Sequence, residues 1–424
     1  MIRRASIVAA VVIAAACSRE EAKQKTQDVT QRVADKVQDA FDISAPIGKP
    51  EPPDAAQQRE RERFDAKWRE LQSFRALKIA QMPLQTAPEG PKVAFVTGKK
   101  ETFQGLDAGA INAAPVNVPI TGDMKGPSVL RTQVLLDRAH FSVGVIDGRW
   151  GRNSAIAVWW WQRAHGLQPT GDVDQATFIS LARAAENVPP VVSYTLTAGD
   201  VKGPFVVIPE DVYEQESLDC LCYESLREKL AERFHSAEDF LELLNPGVDF
   251  SQLGAGAAIN VPNVRPALPS DHRDVAKVVV SIAGNSLNGY DAAGSLIFHA
   301  PTTVGAGYDP SPDETLKVVR IVDQPHFHYN PKLYHEVSDD APDAHLKPGP
   351  NSPVGVVWIA LSKEHYGIHG TKDPDVIGYA SSHGCVRLTN WDAGELQHRI
   401  GEGVEVAFVD TSSKGLPEVA KKAE

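Results

Sequence analysis

Ile368-His369-Gly370-Thr371, followed by Ser381-Ser382-His383-Gly384-Cys385-Val386-Arg387-Leu388-Thr389-Asn390, decides the reading of this chain. It sets one cysteine near one histidine, with a second histidine sixteen positions before the cysteine. A thiolate nucleophile needs a neighbouring base or cation to form at neutral pH. It needs a glycine turn that lets a substrate approach the backbone. It also needs amide N–H groups aimed at the oxygen that becomes charged. His383-Gly384-Cys385 can supply the turn and the amides, and His369, ending a short apolar run, can supply the base. The plain alternative is a small core cysteine, which fits poorly with His383 and Arg387 two positions to either side.

Working outward, Val275–Ile282, Leu296–His299, Leu316–Val322, Val354–Leu361, Tyr366–His369 and Val404–Val409 are short apolar or β-branched runs separated by Gly and Pro clusters. They read as strands of a β-rich domain over residues 274–410, a normal size for one core. Upstream, residues 121–186 have helical periodicity. Leu130, Val134 and Leu135 share one face, Ile156, Trp159 and Trp160 a second, and Phe178, Leu181 and Ala182 a third. Two glycine turns, Asp147–Gly151 and Gly171–Asp174, stand between them, and Asp172 or Asp174 can cap the next helix. The Trp159-Trp160-Trp161 run reads as helix core with one exposed ring, or as a ring that stacks on a sugar. Pro189-Pro190 marks a linker, after which residues 192–264 form a small module of strands and two helices. Cys220 and Cys222, inside it, are expected to pair with each other.

The nucleophile region resembles the active-site signature of the L,D-transpeptidases, the YkuD-type catalytic domain. Pro348-Gly349-Pro350-Asn351-Ser352-Pro353-Val354-Gly355 resembles a second stretch of that family. Thr302-Thr303-Val304-Gly305 departs from the family's Thr-Pro-x-Gly turn. Trp161-Gln162 and Gly166-Leu167, with the two glycine turns, resemble a three-helix peptidoglycan-binding module, with Asn153 or Ser154 where that family places Thr. The later half of 192–264, with Leu244-Asn245-Pro246 and Val261-Pro262, resembles a LysM module, while about 25 extra residues separate its opening strand from its helix. The expected architecture is multidomain α+β: a three-helix peptidoglycan-binding module, a small LysM-like α/β module and a β-rich YkuD-type catalytic domain.

The resemblance implies that Cys385 is the nucleophile and His369 its base, oriented by the Gly370 carbonyl. It implies an oxyanion site from the Gly384 and Cys385 amides with His383. Arg387, Ser382 and Tyr366 then bind substrate or hold the motif, and Trp358 can line the groove or pack in the core. The implied reaction is transfer of a tetrapeptide stem's acyl group to an amine acceptor, giving a 3→3 cross-link or attaching a lipoprotein, with release of D-alanine. A hydrolase using the same cysteine and a noncatalytic wall-binding scaffold are the rivals. The implied partners are peptidoglycan stem peptides and glycan, and no cofactor is needed. His326, His328, His335 and His345, with Asp339, Asp340 and Asp343, suggest a metal site or a lid over the groove, and the lid is the reading adopted.

Residues 1–17 read MIRRASIVAAVVIAAAC, a basic start and a short apolar run ending in small residues before Cys17. This is an export signal with a near-lipobox, so Cys17 is the expected lipidation site and the outer membrane facing the periplasm the expected location. Residues 18–120 read as a tether with helical segments, one carrying the apolar stripe Phe64, Trp68, Leu71 and Phe74, and residues 411–424 as a polar tail. The formal charge of −12 argues against nonspecific nucleic-acid binding.

Overall fold

The computed structural model describes residues 93–282, 284–305, 311–312, 314–333, 338, 340–379, 382 and 384–409. The expected export signal, Cys17, the Phe64–Phe74 stripe, His335, Asp339, His383 and the expected polar tail lie outside the described residues. Residues 53–330 and 342–424 form one compact unit, to which everything below belongs. The other unit, residues 1–52 and 331–341, contributes the 3-10 turn Pro331–Leu333. No helix among the described residues is long and apolar enough to cross a membrane.

The chain opens with strand β1 (Phe95–Val96), helix α1 (Ala108–Ala113) and strand β2 (Val116–Asn117), which pairs in parallel with β1. The sequence leads one to expect the end of a tether over residues 93–120. Instead Ile111, Val116 and Ile120 are buried in the core of the helices that follow. Their apolar residues are too sparse to show a period, so only tertiary packing reveals the role. Helices α2 (Pro127–Arg138), α3 (Arg152–Ala164) and α4 (Gln175–Ala184) bury the three predicted faces against one another. Two glutamines hold the glycine turns between them. Gln133 Oε1 accepts from the Gly148 amide at 2.8 Å, and Gln162 Oε1 accepts from Thr170 and Gly171, each at 2.9 Å. Asp174 caps α4, accepting from the Thr177 amide at 2.7 Å. None of the three tryptophans is exposed, which corrects both readings of that run. Trp161 packs on Phe141 and His165 inside the module, and Trp160 lies beside His299 of the catalytic sheet.

The next segment pairs β3 (Val191–Thr195) with β4 (Ala258–Pro262) in antiparallel fashion. Between them come α5 (Val212–Glu216), α6 (Leu226–Arg233) and α7 (Glu238–Leu244). Its small core includes Leu196, Leu230, Leu241, Ile259 and Val261. Asn245, from Asn-Pro, ties α7 to β4 by accepting from the Asn260 amide at 2.7 Å. Cys220 and Cys222 are joined by a disulfide.

The last region is built on β5 (Lys277–Ser281), β6 (Ser286–Tyr290), β7 (Leu296–Pro301), β8 (Thr315–Asp323), β9 (Phe327–Tyr329), β10 (Ala344–Leu346), β11 (Val357–Leu361), β12 (Gly367–His369), β13 (Val386–Arg387), helix α8 (Asn390–Arg399) and β14 (Glu405–Val409). Eight of these strands form one sheet in the order β13-β12-β11-β8-β14-β5-β6-β7, parallel at β12/β13 and β14/β5. Helix α8 buries Ala393 and Leu396 against the same core as Val278, Ile359, Ile368 and Val406. Strands β9 and β10 pair with each other.

A buried ion cluster joins the parts. The Arg265 guanidinium meets Asp137 of α2 and Asp392 and Glu395 of α8, the Asp392 contact at 2.7 Å. His235 adds a 2.8 Å contact to Asp137 and stacks on Trp391. An unpartnered buried charge costs several kcal/mol, on the order of 3–5 when one partner of a pair is removed. These contacts therefore tie the helical module, the middle segment and the sheet into one body.

Candidate active site

Strand β12 lies between β11 and β13, with His369 in register with Trp358 on one side and Arg387 on the other. Alternation along these strands sends Ile368 and Val386 into the core, where both are fully buried. The opposite face receives His369 and Arg387, and Cys385 precedes Arg387 by two positions, just before the strand. The Trp358 ring stacks over the His369 ring at 5.4 Å between centroids. Gly367 makes room for that indole, because a Cβ there would lie 2.6 Å from it.

His369 is almost fully buried, and its Nδ1–H donates to the Gly370 carbonyl at 2.7 Å. Burial pushes the imidazole down to about 3, and the Arg387 cation nearby pushes the same way. The ring is therefore neutral at pH 7, with Nε2 carrying the lone pair. Gly370 is itself backed by Asn390, the first residue of α8. A Cβ on Gly370 would meet Asn390 Oδ1 at 2.2 Å. Asn390 Oδ1 accepts from the Val356 amide at 3.2 Å, and its Nδ2 donates to Glu232 Oε2 at 2.8 Å and to the Pro350 carbonyl at 3.1 Å. Tyr223 donates to the other Glu232 oxygen at 2.7 Å. Burial pushes the Glu232 carboxyl up to about 7, with Glu228 adding to the rise.

Cys385 is half-buried, and its Sγ lies 3.4 Å from the His365 carbonyl oxygen. The carbonyls on both sides of the thiol are tied back. Ser311 Oγ donates to Gly384 O at 2.8 Å, and Ser382 Oγ donates to Cys385 O at 2.5 Å. Because the peptide is planar and trans, a fixed Gly384 carbonyl also fixes the opposite direction of the Cys385 N–H. Gly384 has φ +99°, and the Tyr366 ring packs against it, 3.1 Å from where a Cβ would sit. Only glycine suits both constraints. The strap Thr302–Gly305 runs beside the motif. Thr303 and Arg387 exchange amide–carbonyl bonds of 3.0 and 2.8 Å, and the Ser382 amide donates to Val304 O at 2.9 Å. Arg387 Nε is buried with no acceptor among the described residues.

The expected lid segment contains β9 and β10, where His328 stacks on His345 at 4.5 Å and contacts Asp343 at 2.9 Å. No group of three or more His, Cys, Asp or Glu among the described residues could hold a metal ion. The disulfide loop docks here. Leu221 packs with Ala344 and Leu346, its amide donates to Pro348 O at 3.1 Å, and its carbonyl accepts from Asn351 N at 3.0 Å. Gly349 is pressed on Leu221, whose carbonyl oxygen would lie 2.0 Å from a Cβ. A separate cleft of about 1150 Å³ has Leu106, Arg149, Leu243, Asp375 and Tyr379 in its walls.

Of the residues singled out in the sequence, His369 pairs in register with Arg387 and bonds to Gly370, Ser382 bonds to the Cys385 carbonyl, and Tyr366 packs on Gly384, while the Cys385 sulfur contacts the His365 carbonyl. Asn390 lies within the motif, yet the sequence assigns it no role. Glu232 and Tyr223 are invisible to sequence reasoning, because nothing in the helical run Leu226–Arg233 distinguishes one acid from another.

Residues 276–408 match the L,D-transpeptidase catalytic domain model, and residues 125–181 match the model described as "Putative peptidoglycan binding domain". A Bacillus licheniformis protein named "Putative L,D-transpeptidase YkuD" is 30% identical over 181 residues, covering 43% of this chain and 92% of the relative. The Escherichia coli protein named "Probable L,D-transpeptidase YbiS" is 29% identical over 177 residues, covering 41% of this chain and 56% of the relative. Among solved structures, the L,D-transpeptidase fragment from Xylanimonas cellulosilytica aligns with TM-score 0.31 and 17% identity, covering 70% of this chain and 98% of that one.

Proposed function

The chain belongs to the L,D-transpeptidase family, and from that premise we propose that it transfers peptidoglycan stem-peptide acyl groups through Cys385. The observation that carries this reading is the buried His369, aimed by the Gly370 carbonyl and paired in register with Arg387, two positions after Cys385. The Cys385 thiol gives its proton to His369 Nε2 as sulfur attacks the carbonyl carbon at the L-centre of the third stem residue. The oxyanion is met by the Cys385 and Gly384 amides, with His383 as a further donor. The C–N bond to D-alanine breaks, D-alanine takes the proton from His369, and a thioester remains. An amine on a neighbouring stem attacks the thioester and yields a proton to His369. The C–S bond breaks, sulfur takes the proton back from His369, and a 3→3 cross-link is left. A lysine amine of a wall-linked lipoprotein is chemically equivalent as acceptor. Arg387 and Tyr366 border the groove that receives the stem.

The wall polymer is recognised by the helical module and, in this reading, by residues 192–264 acting as a LysM-like unit. The Tyr379 ring, half exposed in the cleft, takes the sugar-stacking part that the buried tryptophans cannot. The chain works outside the cytoplasm, exported by residues 1–17 and held by lipid on Cys17. Mass analysis of wall fragments after incubation with purified protein tests the activity. Cross-linked dimers with released D-alanine are expected. Tripeptides alone would replace transfer with hydrolysis, and unchanged fragments would refute the assignment.

A further inference from the structure

Ile377, Gly378 and Tyr379, between His369 and Cys385 in sequence, are held from outside the sheet. Helix α3 begins at Arg152, and its N-cap is Gly151, which has no side chain to cap it. The first amides of a helix need acceptors from elsewhere. Tyr379 brings a hydroxyl to this turn: its oxygen would lie 3.1 Å from a Cβ on Gly151. The side chains of Arg152 and Asn153 reach the same segment. Arg152 Nη1 donates to the Gly378 carbonyl at 2.8 Å, and Asn153 Nδ2 donates to the Ile377 carbonyl at 2.8 Å. Gly378 has φ +86°, and a Cβ there would lie 2.2 Å from Asn153 Oδ1, so backbone and side chain are in direct contact. Asn153 is only 8% exposed. It also stands in the region where the peptidoglycan-binding pattern has Thr.

From Gly378 the hydrogen bonds continue inward. The Gly378 amide donates to Thr303 Oγ1 at 3.3 Å, and Thr303 is paired with Arg387, two residues after the thiol. Val304, the next residue of that strap, accepts from the Ser382 amide, and Ser382 holds the Cys385 carbonyl. We propose that Arg152 and Asn153 are positioning residues for the Cys385 thiol, holding the segment that joins base to nucleophile in its reactive shape. The helical module is then part of the catalytic apparatus as well as a grip on the wall. This inference rests on Cys385 being the nucleophile.

The test uses the full chain and variants Arg152→Ala, Arg152→Lys, Asn153→Ala and Tyr379→Phe. It measures acylation of Cys385 by a cysteine-directed acylating probe and by tetrapeptide donor, sacculus binding, and thermal unfolding. A misplacement of about 1 Å can cost on the order of 10²-fold in rate. Arg152→Ala and Asn153→Ala are expected to lower the maximal acylation rate at least about tenfold, with donor KM and sacculus binding unchanged. Arg152→Lys should recover part of the Arg152→Ala loss, since an ammonium can still reach one carbonyl. Tyr379→Phe keeps the ring and removes the hydroxyl, so it should fold and still lower the rate a few-fold. Folded variants that acylate at the wild-type rate would overturn the proposal. So would parallel losses of rate, KM and sacculus binding, which would mark a general structural role. A wild-type chain that the probe never acylates would sink the assignment of Cys385 itself, a result distinct from any difference among the variants.

Discussion

His369 and Cys385 are held in place by different means. His369 rides a strand whose two neighbours set its register, and a backbone carbonyl one residue away sets its tautomer. Cys385 follows a turn whose shape comes from side chains far along the chain: Ser311, the Thr303 strap and, at one remove, Arg152 and Asn153. The base is placed by local periodicity and ladder hydrogen bonds. The thiol is placed by long-range contacts, so its geometry depends on three separate parts of the fold. Within catalysis, substitution of the proposed base should therefore act on proton transfer, and substitutions along the thiol's supports should act on its position.

The largest expected effect is at the thiol itself. Cys385→Ala should reduce acyl transfer to background while sacculus binding stays at the wild-type level, because the helical module is untouched. Transfer above background, measured by mass analysis of the fragments, would mean another nucleophile. Next comes the base. His369→Gln should lower acylation on the order of 10²–10⁴-fold, the usual cost of losing a general base. It should also change acid stability in a stated direction. The imidazole sits at about 3 in the folded chain, below its ordinary 6.5. Between those values the unfolded chain binds a proton that the folded chain does not. Stability therefore falls as pH drops through that window, and His369→Gln should flatten the fall. Denaturant midpoints at pH 7 and pH 4 for both proteins measure it, and identical slopes would contradict the buried neutral ring.

The same contrast between local and long-range placement governs which features are legible in the amino-acid sequence. The runs around Val278, Leu316, Ile359 and Val406 are continuous enough to show as strands. Strand β6, Ser286–Tyr290, does not show, because its residues answer to particular neighbours. Gly289 is needed where a Cβ would lie 2.9 Å from Val275, and Asn288 accepts from His299 Nδ1–H at 2.8 Å. The proposed nucleophile and base stand out because the chemistry proposed for them demands certain residue types close together in sequence. Asn153 shows only as a departure from a pattern, and Arg265 not at all. Their partners lie more than a hundred residues away for Arg265 and more than two hundred for Asn153.

The smallest effect tests the support behind the base. Glu232 reaches His369 only through Asn390 and Gly370, so Glu232→Gln should leave acylation within a few-fold of wild type. Gln can still accept from Asn390 and can donate to the Tyr223 oxygen in place of the bond it received. The measurable change is in stability against pH. The Glu232 carboxyl is raised from 4.5 to about 7 by burial, with Glu228 opposing its ionisation and the Asn390 and Tyr223 hydrogen bonds favouring it. Between those two values the folded chain holds a proton that the unfolded chain has released. Stability is then lost as pH rises from 4.5 through 7. Removing the charge should abolish that loss, so Glu232→Gln should gain on wild type between pH 5 and pH 8. Denaturant midpoints at the two pH values decide it: a gap between variant and wild type that does not widen toward pH 8 would show that Glu232 ionises freely, and that Asn390 holds Gly370 without a protonated neighbour.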